Sequence, residues 1–195
     1  MTVRSFIAVE IPAGMQEEIA RCIAPLQRSL PKPLIRWVAS QNVHLTLKFL
    51  GDVSPANLER LAGSLEHEAL AHQAFTMSVG GLGAFPSASH ARILWVGLNA
   101  PSDLEALARG VEAVAVRLGF EAEVRPFSPH LTIGRVAPNT SPADQQRIRA
   151  ALAETPAAAL GSVHVDALHI FKSDLRPDGP IYTPLFVLPL KLTPS

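Results

Sequence analysis

Two stretches of this chain follow the same script. His44-Leu45-Thr46-Leu47 is followed by a turn and then Ser54-Pro55-Ala56-Asn57; His130-Leu131-Thr132-Ile133 is followed by a turn and then Ser141-Pro142-Ala143-Asp144. Each tetrapeptide reads as strand, where residues i and i+2 share a face. Each therefore presents one imidazole and one hydroxyl together and turns Leu45 and Leu47, or Leu131 and Ile133, toward a core. Each Ser-Pro pair reads as a helix N-cap followed by the first helical position. A strand motif and a helix cap that recur at almost the same offset constrain the chain to two related lobes. The expected architecture is α+β and bilobal: two pseudo-symmetric antiparallel-sheet lobes with outer helices around a central cleft. Short connections argue against a doubly wound parallel sheet. No linker-grade segment divides residues 1–195, so they form one domain of two interleaved lobes. An approximate two-fold would set His44 and His130 face to face across the cleft.

Periodicity supplies the other elements. Phe6, Ile7 and Val9 mark an opening strand, and Met15, Ile19, Cys22, Ile23, Leu26 and Leu30 recur at helical spacing after Pro12. Pro25 is expected to kink or interrupt that helix. Residues 34–39 and 43–50 read as strands joined by Ser40-Gln41-Asn42, with Gly51 closing the second. Leu58, Leu61, Leu65 and Ala69 form the buried stripe of the helix capped by Ser54. Strands follow over 75–82 and 92–98, then a helix capped by Ser102-Asp103, a strand over 121–125 and the motif strand over 130–136. The Ser141 helix runs to about Leu152, and strands over 163–171 and 182–190 complete the chain.

Composition narrows the function classes. Of 195 residues 48% are hydrophobic and 17% charged, the balance of a globular chain. No apolar run approaches the roughly 20 residues of a membrane span. The first ten residues lack the regions of a signal peptide. A single cysteine, Cys22, allows no internal disulfide and no thiolate cluster for zinc. A cytoplasmic monomer is expected. Net charge is zero, so a nucleic-acid substrate would be gripped locally, at an end, and not along a basic stripe. Positive charge near the motifs comes from Arg36, Lys48, Arg125 and Arg135.

Several chemistries can be weighed. A catalytic zinc wants three protein ligands; beyond His44 and His130 the available extras are His90, His164 and His169, and no His-Glu-x-x-His helix exists. The Gly-x-Ser-x-Gly elbow of a serine hydrolase is absent. Gly80-Gly81-Leu82-Gly83 resembles a phosphate loop in composition only and reads as a loop or bulge between strands. His67 and His72 read as solvent-facing, and His164 and His169 as opposite faces of one strand. Neither metal nor cofactor is expected. Two imidazoles with ordinary values near 6.5 suit paired acid and base work at neutral pH. In-line cleavage of a phosphodiester needs a proton taken from the nucleophile on one side of phosphorus and another given to the leaving oxygen on the opposite side. Thr46 and Thr132 would donate hydrogen bonds to the non-bridging oxygens.

At these residues the chain resembles the 2H phosphoesterases, a superfamily named for paired His-x-Thr/Ser motifs. Within it the resemblance is to the RNA 2′,3′-cyclic phosphodiesterases once described as 2′-5′ RNA ligases. It is carried by Arg4-Ser5-Phe6-Ile7-Ala8-Val9, Arg36-Trp37-Val38, residues 42–51, Gly81-Leu82-Gly83-Ala84-Phe85-Pro86, residues 125–135 and Gly179-Pro180-Ile181-Tyr182. It implies a bilobal fold with a central cleft, no metal requirement, and hydrolysis of RNA or oligonucleotide 2′,3′-cyclic phosphate ends to 2′-phosphomonoesters. Reversible 2′-5′ ligation is a second implied activity. By motif position, it implies that His44 protonates the departing 3′ oxygen and that His130 is the base that activates water. Thr46 and Thr132 match the phosphate-binding positions.

Phe49 and Arg135 each lie five residues after a motif histidine. Two-fold symmetry would bring them opposite each other, a ring and a guanidinium plane able to sandwich a nucleobase, a role the resemblance supports. On a straight strand an i+5 residue points away from residue i, so this pairing requires the chain to turn; Gly134 and Gly51 are suitable places for a bulge. The alternative reading is a non-catalytic module that binds an RNA end or a nucleotide phosphate without cleaving it.

Overall fold

The computed structural model describes residues 1–156, 159–177 and 179–192. Nine strands and four helices are found among them: β1 (Val3–Glu10), α1 (Ala13–Ser29), β2 (Ile35–Trp37), β3 (His44–Val53), α2 (Pro55–Leu70), β4 (Phe75–Phe85), β5 (Ile93–Asn99), α3 (Ser102–Arg117), β6 (His130–Val136), α4 (Pro142–Glu154), β7 (Ala159–Val165), β8 (Ala167–Asp174) and β9 (Ile181–Pro189). They form two antiparallel sheets, one in the order β3-β1-β8-β9 and the other β2-β6-β5-β4-β7. The lobes are not the halves of the sequence: the chain's last two strands complete the sheet begun by β1 and β3, and β2 crosses to the other sheet.

The helices cross over in the same way. The helices α2 and α3 pack on the four-stranded sheet, while α1 lies against β7 of the five-stranded sheet and touches α4. Ile7, Val9, Leu45, Leu168 and Ile170 fill the first interface, and Leu94, Val96, Leu131 and Ile133 belong to the same continuous core. The opposite faces of the two sheets are left to line a cleft. Strand β3 lies beside β6 where the sheets meet, so the two motif strands are neighbours.

Both predicted Ser-Pro caps form. The hydroxyls of Ser54 and Ser141 accept the backbone N–H of Asn57 and Asp144, with Pro55 and Pro142 opening the helices. Several expectations need correction. The helix α1 runs through Pro25 without interruption, because its buried stripe of Met15, Ile19, Ile23 and Leu26 outweighs one missing hydrogen bond. Ser102 lies inside α3, whose N-cap is Pro101. Residues 121–125 form no strand; all five are exposed and have no buried face to pair on. Residues 163–171 are split between β7 and β8 at Asp166. Gly51 does not close β3: its positive φ of 71° lets the strand pass an irregularity at Leu50 and continue to Val53. The Gly80-Gly81 pair is a bulge inside β4, which runs on to Phe85.

Candidate active site

The ladders settle which face each motif residue occupies. In the β1–β3 register His44 opposes Glu10, Thr46 opposes Ala8, Lys48 opposes Ile7 and Phe49 opposes Phe6, leaving Leu47 unpaired. In the β5–β6 register His130 opposes Gly97, Thr132 opposes Trp95 and Arg135 opposes Ile93, leaving Ile133 unpaired. Each motif strand thus carries a one-residue bulge three positions after its histidine. The bulge reverses the alternation, so His44, Thr46 and Phe49 share one face and His130, Thr132 and Arg135 share the equivalent face. The i+5 obstacle is removed, though at Leu47 and Ile133 and not at the glycines. Gly134 has another duty: a Cβ there would press on Ile35 Cγ2 at 2.8 Å and on the Trp37 ring at 3.2 Å.

Each histidine is held in the same way. The Nδ1–H of His44 donates to the carbonyl of Asn42 at 2.8 Å, and that of His130 to the carbonyl of Ser128 at 2.7 Å. A carbonyl can only accept, so Nδ1 carries the proton and Nε2 keeps the lone pair of each neutral ring. Asn42 is itself fixed by its amide, which donates to the carbonyl of Pro180. Aromatic rings complete the cradle. His44 stacks on Phe6 at 4.7 Å between centroids and meets the edge of Tyr182 at 5.1 Å; Phe85 stands edge-on to His130 at 4.9 Å. Phe6, Ala8, Phe171 and Tyr182 form a small cluster separate from the main core, which is the floor of the site on the His44 side. A cavity of about 110 Å³ opens there, lined by Phe6, Glu10, Gln16, Asn42, His44 and Tyr182 among others.

Burial pushes the His44 imidazole below its ordinary 6.5; the Asn42 carbonyl opposes this, and the Arg135 guanidinium adds to it. That influence ties β6 to the His44 side of the cleft. Phe49 is 66% exposed with its ring 6.2 Å from Phe6, and Arg135 is exposed; both are available to a ligand. Phe49 is therefore not a core aromatic.

The other sequence candidates separate from this group. Lys48 points to the helix side and is buried, its ammonium on Glu112 and on the carbonyl of Glu121. His164 lies on β7 and His169 on β8, different strands and not two faces of one; His169 Nε2 is 3.5 Å from Glu10. His90 contacts Ser89. His67 is exposed as expected, whereas His72 is largely buried against Glu68. Among the described residues no three His, Cys, Asp or Glu side chains converge as metal ligands, and no helix is long and apolar enough to cross a membrane. Sequence reasoning missed Trp95, whose membership in the site follows from cross-strand register and has no local signal; Phe6, Phe85 and Tyr182 lay within the family-like strings without an assigned role.

Comparison with known proteins finds the same duplication. The family model described as LigT like Phosphoesterase matches twice in succession, over residues 9–95 and 96–182, with His44 and His130 at nearly the same depth in the two matches. The chain is 32% identical over 190 residues to an RNA 2′,3′-cyclic phosphodiesterase of Methanothermobacter thermautotrophicus, covering 97% of this chain and 100% of the relative. It is 34% identical over 138 residues to the enzyme of that name from Escherichia coli, covering 69% and 72%. Among solved structures, E. coli LigT complexed with 3′-AMP superposes with a TM-score of 0.77 at 28% identity, covering 97% of this chain and 99% of that one.

Proposed function

This chain belongs to the LigT-like phosphoesterase family, and from that premise we propose that it hydrolyses 2′,3′-cyclic phosphate ends of RNA or oligonucleotides to 2′-phosphomonoesters, with His44 and His130 as the acid–base pair. The observation that carries this reading is the matched pair of faces: histidine, threonine and an exposed i+5 side chain on each of two adjacent strands, with both Nδ1 atoms committed to backbone carbonyls.

The reaction balances on these groups. His130 Nε2 takes a proton from water as the water oxygen bonds to phosphorus. The bond from phosphorus to O3′ breaks, and protonated His44 gives its Nε2 proton to O3′. A free 3′-hydroxyl and a 2′-phosphomonoester leave, and proton exchange with solvent resets both rings. Thr46 and Thr132 donate to the non-bridging oxygens, where charge grows in the transition state. Phe49 and Arg135 clamp the terminal base. No step calls for a metal. The same ring opening with a 5′-hydroxyl in place of water as the nucleophile, its proton taken by His130 as O3′ leaves, gives 2′-5′ ligation. The reverse of that step cleaves the 2′-5′ linkage. We assign the activity to a cytoplasmic monomer acting as one domain.

The test is turnover of an RNA trinucleotide ending in a 2′,3′-cyclic phosphate, with the product end identified by phosphorus NMR. His44→Ala and His130→Ala should each lower kcat by at least about 10²-fold, and EDTA should change nothing. Full turnover by either variant, or a 3′-phosphate product, refutes the assignment. Tight binding of the trinucleotide by wild-type protein with no product returns the chain to the non-catalytic reading.

A further inference from the structure

Arg36 and Arg135 are Cα partners in the β2–β6 ladder. Their side chains therefore leave the sheet from one face, the face that carries His130 and Thr132. Both are exposed. Like charges directly opposite on neighbouring strands repel, and among the described residues neither arginine has a carboxylate within salt-bridge distance. A third guanidinium joins them from the other sheet. Arg4 on β1 shares the face of Phe6, and hence of Phe49 and His44. Its ladder partner is Asp52, but the two form no ion pair. All three charges act on Tyr182, whose phenol burial pushes up and whose rise they partly offset. Three guanidiniums from three strands and both sheets thus gather at one rim of the cleft, in a chain whose net charge is zero.

We propose that Arg36 and Arg4 form a subsite for the phosphodiester on the 5′ side of the terminal nucleotide, so that the protein selects oligonucleotide ends over free cyclic nucleotides. This rests on the activity proposed above. With the terminal base between Phe49 and Arg135 and its cyclic phosphate at the histidines, the 5′ phosphate of that nucleotide projects from the other side of the ribose. Arg36 stands one strand spacing, about 4.8 Å, beyond Arg135. The strand β2 is three residues long and is the edge of its sheet, so no further strand blocks the path of the departing chain. A guanidinium fork suits a phosphodiester by two parallel hydrogen bonds, which an ammonium cannot supply.

The test compares adenosine 2′,3′-cyclic phosphate with the dinucleotide ApA carrying a 2′,3′-cyclic phosphate, in wild type, Arg36→Gln, Arg36→Lys and Arg4→Gln. Calorimetric affinities for the two products, 2′-AMP and ApA with a 2′-phosphate, are measured alongside. Wild type should favour the dinucleotide at least tenfold in kcat/KM and in product affinity. Arg36→Gln should remove most of that ratio through KM, Arg36→Lys should restore part of it, and the salt slope of dinucleotide affinity should fall by about 0.7 per arginine lost. A wild-type ratio near one, or an equal loss on both ligands in Arg36→Gln, overturns the subsite. Because product affinity needs no turnover, failure to hydrolyse either substrate would count against the activity alone and leave the subsite to be decided by the calorimetry.

Discussion

Lys48 lies four residues after a motif histidine and on charge alone would pass for a phosphate ligand. The structure gives it another task, and Lys48→Met tests which is right. Its ammonium sits 2.9 and 2.7 Å from the two carboxylate oxygens of Glu112 on α3 and 2.6 Å from the carbonyl of Glu121, with the side chain 6% exposed. These bonds fasten α3 and the segment after it to β3. Methionine keeps the apolar stem and removes the charge. Breaking a fully buried pair costs about 3–5 kcal/mol, but Glu112 is 30% exposed, and water can reach the carboxylate left behind. Charge-assisted hydrogen bonds contribute about 1.5–3 kcal/mol, so the expected loss is about 2–3 kcal/mol. At about 2–4 °C per kcal/mol for a domain of this size, Tm should fall by roughly 4–12 °C in a calorimetric scan. Burial would raise the Glu112 carboxyl, yet hydrogen bonds from Lys48 and from the Glu123 N–H, with the Lys48 charge, bring it below its ordinary 4.5. A folded value below the unfolded one gives stability that is present above pH 4.5 and lost as pH falls through the folded value. The gap between wild type and variant should therefore be widest at neutral pH and shrink in acid. Activity and its salt dependence should stay as in wild type. A Tm change under about 1 °C, a gap indifferent to pH, or a flattened salt slope would refute this placement.

The influence of Arg135 on His44 gives a way to assign the acid and the base. Arg135→Gln should raise the His44 pKa, moving one limb of the kcat/KM–pH profile to higher pH even as binding weakens. Movement of the alkaline limb supports His44 as the acid, movement of the acid limb makes it the base, and two unmoved limbs contradict the geometry. At Gly83 a Cβ would fall within the Trp95 indole, so Gly83→Ala should cost about 1–3 kcal/mol of overpacking, read as a lowered urea midpoint. Because Trp95 touches Phe85 and Phe85 abuts His130, kcat should fall as well; an unchanged midpoint would show the indole is not confined.

The catalytic candidates were legible because their signal is local. A histidine and a threonine two apart share a face on any strand, and Ser54-Pro55 and Ser141-Pro142 announce helices by capping chemistry alone. What was hidden depends on partners distant in sequence. Nothing near Leu47 or Ile133 marks a bulge; it exists because Thr46 and Lys48 pair with the consecutive residues Ala8 and Ile7. Nothing near Lys48 indicates Glu112, 64 residues away. The apolar spacing of residues 163–171 reads as one strand, and only the demand that β7 pair with β4 while β8 pairs with β1 breaks it at Asp166. Residues 121–125 show the converse, a strand-like pattern with no buried face to use.

The paired bulges also divide the work between two kinds of mutation. The side chains at positions 49 and 135 reach the cleft through an extra backbone residue, whatever those side chains are. Point substitutions there can retune base preference while the His-x-Thr pairs keep their faces. Inserting or deleting one residue beside the motif would instead change which face the later positions occupy. Specificity in this architecture is free to drift by substitution, while the spacing that supports the chemistry cannot shift by a single residue without turning the base-side positions away from the cleft.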